Sequence, residues 1–144
     1  MKKTNLSAKK KIHNFYLGKL KNPKIKKIYS EFEKNIRKYN LQKFSIAVSG
    51  GTDSMALTFL AKCHSIKKNI NYHYFTVDHK LRSNSTKEAM KIKKQLKKHA
   101  VICEILTWKN NKNFSNIQAK ARENRYELIF KKSLNNGINM VLTA

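Results

Sequence analysis

Apolar and polar positions along the chain alternate between two periods, and the alternation sets out an architecture. Phe44-Ser45-Ile46-Ala47-Val48 is a short apolar run that predicts a strand over 43–48. Met55 to Ala61 follows, apolar and free of helix breakers, so a helix is predicted from the intervening turn to about Lys68. Asn71 to Val77 is crowded with Tyr and Phe and predicts a second strand closing on Asp78-His79. Ala89, Ile92 and Leu96 share one helical face, and Ser85 with Glu88 three residues on reads as the capping box that opens that helix. Val101 to Trp108 is a third strand. Ser115 and Gln118 read as the cap of a further helix to about Lys132, with Asn135-Asn136-Gly137 as its stop. Ile138 to Thr143 begins a fourth strand.

Ahead of this unit, Ile25, Ile28, Phe32, Ile36 and Tyr39 keep helical spacing and form one apolar face, expected to pack on the domain. Residues 1–23 are basic and halt at Asn22-Pro23, which reads as a loosely ordered or partly helical arm. The division is then 1–40 as a basic N-terminal arm and amphipathic helix, and 41–144 as an α/β unit. Strands alternating with helices give an open, doubly wound parallel sheet with right-handed crossovers. Ligands of such sheets bind beyond the carboxyl ends of the strands, where both aspartates of the chain, Asp53 and Asp78, fall.

The turn after the first strand carries the chemistry. Ser49-Gly50-Gly51-Thr52-Asp53-Ser54 holds two of the four glycines in the chain, between a strand and a helix. Paired glycines let backbone pass close to a ligand, and the amides at the mouth of the next helix favour an anion. Flanking hydroxyls add donors, and Asp53 can hold a divalent cation against phosphate oxygens. The hexapeptide therefore reads as a phosphate cradle. It is not the Walker pattern, because the spacing differs and no Lys follows the second glycine.

Composition changes the picture in two respects. The formal charge is +24, from 32 Lys+Arg against 8 Asp+Glu, which draws polyanions and makes their binding salt-dependent. Only Arg37, Arg82, Arg122 and Arg125 are arginines, so the excess is lysine, and it reads either as an RNA-facing surface or as a bias of composition. Cys63 and Cys103 lie far apart without CxxC or zinc spacing, which predicts buried thiols in a reducing cytosol. The lysine-rich first residues give no secretory signal, and no apolar run is long enough to cross a bilayer, so no membrane partner is expected and the location is read as cytoplasmic.

Taken together, the strand, the SGGxDS turn and the α/β pattern resemble the PP-loop, or N-type ATP pyrophosphatase, superfamily. Val77-Asp78-His79-Lys80-Leu81-Arg82 with Ser85 and Glu88-Ala89 is similar to the VDHGLRxxSxxEA stretch of tRNA(Ile)-lysidine synthetases. Ile117-Gln118-Ala119-Lys120-Ala121-Arg122-Glu123-Asn124-Arg125-Tyr126 resembles their IEAxARxxRY stretch, with Gln118 where that family usually has Glu, and Val141-Leu142-Thr143-Ala144 resembles the VLTA that opens their next motif. The resemblance implies that 41–144 is a partial PP-loop ATP-binding domain. It implies ATP and Mg²⁺ as cofactors, with tRNA(Ile) and free L-lysine as partners. The reaction implied is adenylation of the wobble cytidine of the CAU anticodon and its conversion to lysidine.

Carried onto this chain, Ser49, Gly50, Gly51, Thr52, Asp53 and Ser54 would bind ATP, with Asp53 near the metal. Asp78 would sit beside the nucleotide, ordering the loop or contacting ribose, or else form only a strand-end Asx turn. Arg122 and Arg125, three apart on one helix face, would steady phosphates or RNA, or else bridge Glu123 or Glu127 at the surface. His79 and Arg82 fall at the nucleotide mouth, Tyr126 is expected in the core, and His13, His64, His73 and His99 form no constellation. The family continues with HHxDD where this chain ends, so the chain reads as a fragment or as a short product. A PP-loop tRNA thiolase and a non-catalytic ATP- or RNA-binding remnant are the alternatives.

Overall fold

The computed structural model describes residues 2–108 and 117–144. Four strands form one parallel sheet in the order β3-β2-β1-β4, with β1 at Lys43–Ala47, β2 at Asn71–Asp78, β3 at Cys103–Thr107 and β4 at Val141–Leu142. The helices are α1 Lys2–Lys19, α2 Pro23–Arg37, α3 Thr52–Lys68, α4 Ser85–Lys98 and α5 Ile117–Asn135. This is the expected α/β parallel sheet. From β1 the chain steps outward to β2 and β3, then returns past β1 to lay down β4 on the other side. The reversal lies between β1 and β4, the place where open α/β sheets take ligands.

Strand alternation sends side chains to two faces. Ile46 of β1, Val48 just after it and Tyr74 of β2 face one way and meet Ala61 of α3 and Leu96 of α4, with Phe32 of α2 and Ile92 of α4 at the margin. Ser45 faces the other way, where its hydroxyl accepts a 2.7 Å hydrogen bond from Ser133 of α5. Burying a hydroxyl without a partner would cost on the order of 1–3 kcal/mol, so the two serines serve each other.

The basic N-terminal stretch is more ordered than its composition suggests. α1 is a continuous helix, and Tyr16 joins Tyr29 of α2 and Cys63 of α3 in a second apolar cluster. Asn22-Pro23 ends one helix and also starts the next. The Asn22 side chain accepts from the amides of Lys24 (3.0 Å) and Ile25 (3.4 Å), with Pro23 in the first turn.

Other boundaries follow local chemistry. α5 stops in a Schellman turn: Gly137 takes φ +68°, its amide bonds the Leu134 carbonyl, and the Ile138 amide bonds that of Ser133. The capping box expected at Ser85 is absent. Asn84 precedes α4 in a helical conformation, Ser85 turns its hydroxyl to Asp78, and Glu88 pairs with Arg82 instead of reaching back to the cap. Ser85 donates its proton to a buried carboxylate, and that charge-assisted bond is stronger than the neutral bond its oxygen was expected to accept from a backbone amide. The cap expected at Ser115 and Gln118 lies outside the described residues.

Candidate functional site

The loop after β1 is wired by its own serines. Val48 is still paired with the sheet, its amide bonding the Phe75 carbonyl at 2.8 Å. Gly50 then turns at φ +85°, and a Cβ there would meet Ile92 Cδ1 at 2.7 Å and Cγ1 at 2.9 Å. Glycine is therefore required at 50 both by the backbone and by α4 beneath it. Ser54 is buried. Its Oγ accepts from the Gly50 amide (3.1 Å) and from Ser49 Oγ (3.1 Å), and donates to the Gly51 carbonyl (3.0 Å). The Gly51 amide approaches Ser49 Oγ at a long 3.4 Å.

These bonds change which groups face a ligand. The amides of the two glycines are engaged inside the loop, and so is the Ser54 hydroxyl. What remains is the first turn of α3. No side chain caps this helix, and the amides of Thr52, Asp53 and Ser54 have no carbonyl four residues back within it. Together with the helix dipole they form an anion-facing mouth. Gly51 stands beside that mouth with an ordinary φ of −72°, and a Cβ on it would touch only Ser49 Oγ, at 3.6 Å. Neither backbone strain nor packing demands glycine at 51. The missing side chain leaves space for a ligand to approach.

Asp53 is exposed in that first turn. Among the described residues no cluster of three His, Cys, Asp or Glu could hold a metal. A lone carboxylate beside a phosphate site nevertheless fits Mg²⁺, which is usually held by one or two carboxylates together with substrate phosphates. Ser49, Thr52 and Asp53 remain open to solvent around the mouth.

The motifs converge in a cavity of about 270 Å³. It is lined by Ala47, Val48 and Ser49 from the end of β1, Arg122 and Arg125 from α5, and Thr143 and Ala144 beyond β4. The cavity opens at the reversal of strand order. Among the described residues, neither arginine is paired with a carboxylate. Glu123 takes Lys120 instead, at 3.8 Å, and Arg125 lies 5.4 Å from the ring centre of Tyr126. Tyr126 departs from its expected place in the core: it is 37 % exposed and shares the wall of this cavity.

Asp78 has a different environment. It is 2 % exposed, and its Oδ1 accepts from Ser85 Oγ (2.7 Å) and the Lys80 amide (3.1 Å). Its Oδ2 accepts from Thr86 Oγ1 (2.7 Å) and Lys80 Nζ (3.1 Å). Burial pushes the carboxyl upward, but the hydrogen bonds from Ser85, Thr86 and Lys80 prevail and bring it from 3.8 down to about 2. This is the Asx turn, extended to a whole loop; Lys80 sits in it at φ +54° and His79 Nδ1 accepts from the Leu81 amide at 3.3 Å. Sequence reasoning missed Thr86 and read Ile92 only as part of an apolar helix face; packing is what brings them to Asp78 and Gly50.

Both thiols are buried, as expected, and burial pushes each up to about 12. His64 is buried against Tyr72, with Nδ1 2.8 Å from the hydroxyl, and burial lowers its pKa. It lies far along α3 from the loop. No helix among the described residues is long and apolar enough to cross a membrane.

A parallel sheet with an anion-facing helix mouth at its strand reversal defines a nucleotide-binding α/β protein. The family model described as "PP-loop domain" matches residues 22–144, and the chain belongs to that family. Similar curated proteins are tRNA(Ile)-lysidine synthases. That of Rickettsia typhi is 40 % identical over 124 residues, covering 81 % of this chain and 28 % of the relative. That of Rickettsia bellii is 37 % identical over 121 residues with the same coverage, and that of Rickettsia rickettsii 41 % over 125 residues, covering 25 % of the relative. The chain thus spans about a quarter of the length of the relatives it matches. A similar solved structure is the U34-tRNA thiolase NcsA from Methanococcus maripaludis with its [4Fe-4S] cluster, with a TM-score of 0.62 and 13 % identity, over 70 % of this chain and 37 % of that one. That likeness concerns the fold.

Proposed function

We propose that the chain is the ATP-handling portion of a tRNA(Ile)-lysidine synthase. One observation carries the reading: a single cavity at the strand reversal gathers Ser49, the Arg122 and Arg125 pair, and the Thr143-Ala144 end. Those are pieces of three separate motifs, and identity near 40 % to proteins of that name supports the same conclusion.

In this reading the pyrophosphate end of ATP lies on the amides of Thr52, Asp53 and Ser54, with Gly51 leaving it room. Asp53 would hold Mg²⁺, which neutralises phosphate charge when bound. Arg122 and Arg125 would steady phosphate oxygens or RNA from the opposite wall. The O2 oxygen of the wobble cytidine attacks the α-phosphorus; the bond to pyrophosphate breaks, and pyrophosphate leaves. The side-chain amine of free lysine then bonds to C2 of the base, AMP departs with the former O2, and the amine proton is released. Asp78 acts by fixing the β2–α4 loop beside the nucleotide. The buried thiols fit work in a reducing cytosol and offer no exposed sulfur for thiolation.

Pyrophosphate exchange into ATP tests the reading. The expected result is exchange driven by a CAU-anticodon tRNA(Ile) transcript and lost when uridine replaces the wobble cytidine. Exchange indifferent to that base would overturn the lysidine assignment while leaving the ATP site standing.

A further inference from the structure

The basic charge of this chain is organised. No acidic residue occurs before Glu31, and residues 1–30 carry ten lysines. Residues 1–21 lie outside the matched PP-loop domain, yet α1 is docked firmly on it. Tyr16 OH donates to the His99 carbonyl at 2.8 Å, and the Tyr16 ring stacks on Phe59 of α3 at 5.4 Å. Lys62 of α3 is held below its ordinary pKa, first by burial and then by Lys9 of α1, so cations are crowded along this seam.

Where α1 meets the end of α4, a cleft of about 290 Å³ opens, lined by Lys11, Phe15, Lys98 and His99 among others. Phe15 is 45 % exposed, although a large aromatic ring on a packed helix would ordinarily be covered. It stacks on the His99 ring (5.8 Å between centres, 26° between planes), and Lys19 Nζ stands 5.8 Å from its centre. From this cleft a lysine stripe runs back along α4. Lys87, Lys91, Lys94 and Lys98 are spaced by four, three and four residues and all are exposed, which puts them on one side of the helix. α4 has 14 residues and so spans about 20 Å. Its far end is anchored by Ser85 on Asp78, beside the proposed nucleotide site.

We propose that the α4 lysine stripe and the Phe15–His99 cleft form a docking track for single-stranded RNA. The lysines meet successive phosphates, and the exposed face of the Phe15 ring carries an unstacked base. Lysine in a row tracks a backbone without reading sequence, and an aromatic ring between cations is the platform that unpaired bases use. The inference takes RNA as partner from the proposed function, and it adds a contact surface on the helix whose Ile92 packs under Gly50.

Filter binding of the full chain to an unmodified tRNA(Ile) transcript over a salt series tests it, beside a triple variant K91Q/K94Q/K98Q and the single variant Phe15→Leu. The triple variant is expected to bind at least tenfold more weakly at low salt. Its slope of log affinity against log salt should be shallower by about two, since each single-strand phosphate contact contributes roughly 0.7. Phe15→Leu keeps an apolar side chain for packing and should erase several-fold of the preference for single-stranded over duplex RNA. Thermal protection by Mg·ATP should be unchanged in both variants, which separates the track from the ATP site. Wild-type affinity and slope in the triple variant would overturn the proposal. So would loss of binding to phosphatidylserine/phosphatidylcholine vesicles with tRNA binding intact, which would make the stripe a membrane contact.

Discussion

The loops after β1 and β2 are built from the same residue types and reach opposite ends. Each leaves the carboxyl end of a central strand, and at each strand-to-helix junction stand an aspartate and a serine in the helix's first turn or bonded to it. After β1, Asp53 is exposed, and the serines use their hydroxyls to hold glycine backbone. After β2, Asp78 is buried and consumes two hydroxyls, an amide and an ammonium. A carboxylate that is fully served inside the fold stabilises it and is not free to bind a ligand. One left outside contributes little to stability and keeps its charge available. On the proposed reading the two loops divide support from recognition, and substitutions should separate stability from ATP binding.

Asp78→Ala should have the largest effect on stability. It orphans the Ser85 hydroxyl in a buried site and the donors of Lys80 and Thr86, and a loss of roughly 3 kcal/mol is expected in urea unfolding. Next comes Gly50→Ala, which places a methyl against Ile92 and forces an unfavourable φ. About 2 kcal/mol should be lost, and Ile92→Ala in the same chain should recover part of the steric component but not the backbone component.

Acid should act through the second loop. The Asp78 carboxyl is depressed from 3.8 to about 2 in the folded state, so its contribution is fully present above the unfolded value. That contribution, about 2 kcal/mol, is lost as pH falls from about 4 to 2. Asp78→Asn should flatten the stability profile in that window. An unchanged profile would mean that the carboxylate is not the group held there.

At the small end of the stability scale, Asp53→Ala should cost less than about 1 kcal/mol, the worth of a carboxylate in a helix first turn. It should nonetheless abolish Mg·ATP protection against thermal unfolding. Gly51→Ala should move stability by no more than about 0.5 kcal/mol, because its φ suits alanine, yet weaken that protection. If both variants keep full protection, the mouth of α3 is not the nucleotide site and the contrast between the loops fails.

Much of this was legible in one dimension. The SGGTDS segment joins β1 to α3 as its neighbours indicate, with Thr52-Asp53-Ser54 already in the helix, because strand and helix periods differ and glycine marks the place where they meet. The stop at Asn136-Gly137 was equally plain, since few residues tolerate φ +68°. Other features were not. Ser85 reads as a cap by spacing, but a buried carboxylate seven residues back in sequence captures its hydroxyl. The N-terminal stretch reads as a loose arm because lysines hide the few aromatic positions, Phe15 and Tyr16, that secure it to α3 and α4.

Local order, turn chemistry and the types of group available were set by the chain itself, because backbone preferences and side-chain spacing act over a few residues. Which aspartate is buried, which amides stay open, and which motifs share a cavity depended on strand order and on how α4 and α5 pack. These turn on access to solvent, and a group's access is decided by neighbours distant in sequence. The same lysines and aspartates would have supported a different division of labour had α4 not lain under Gly50 and against Asp78.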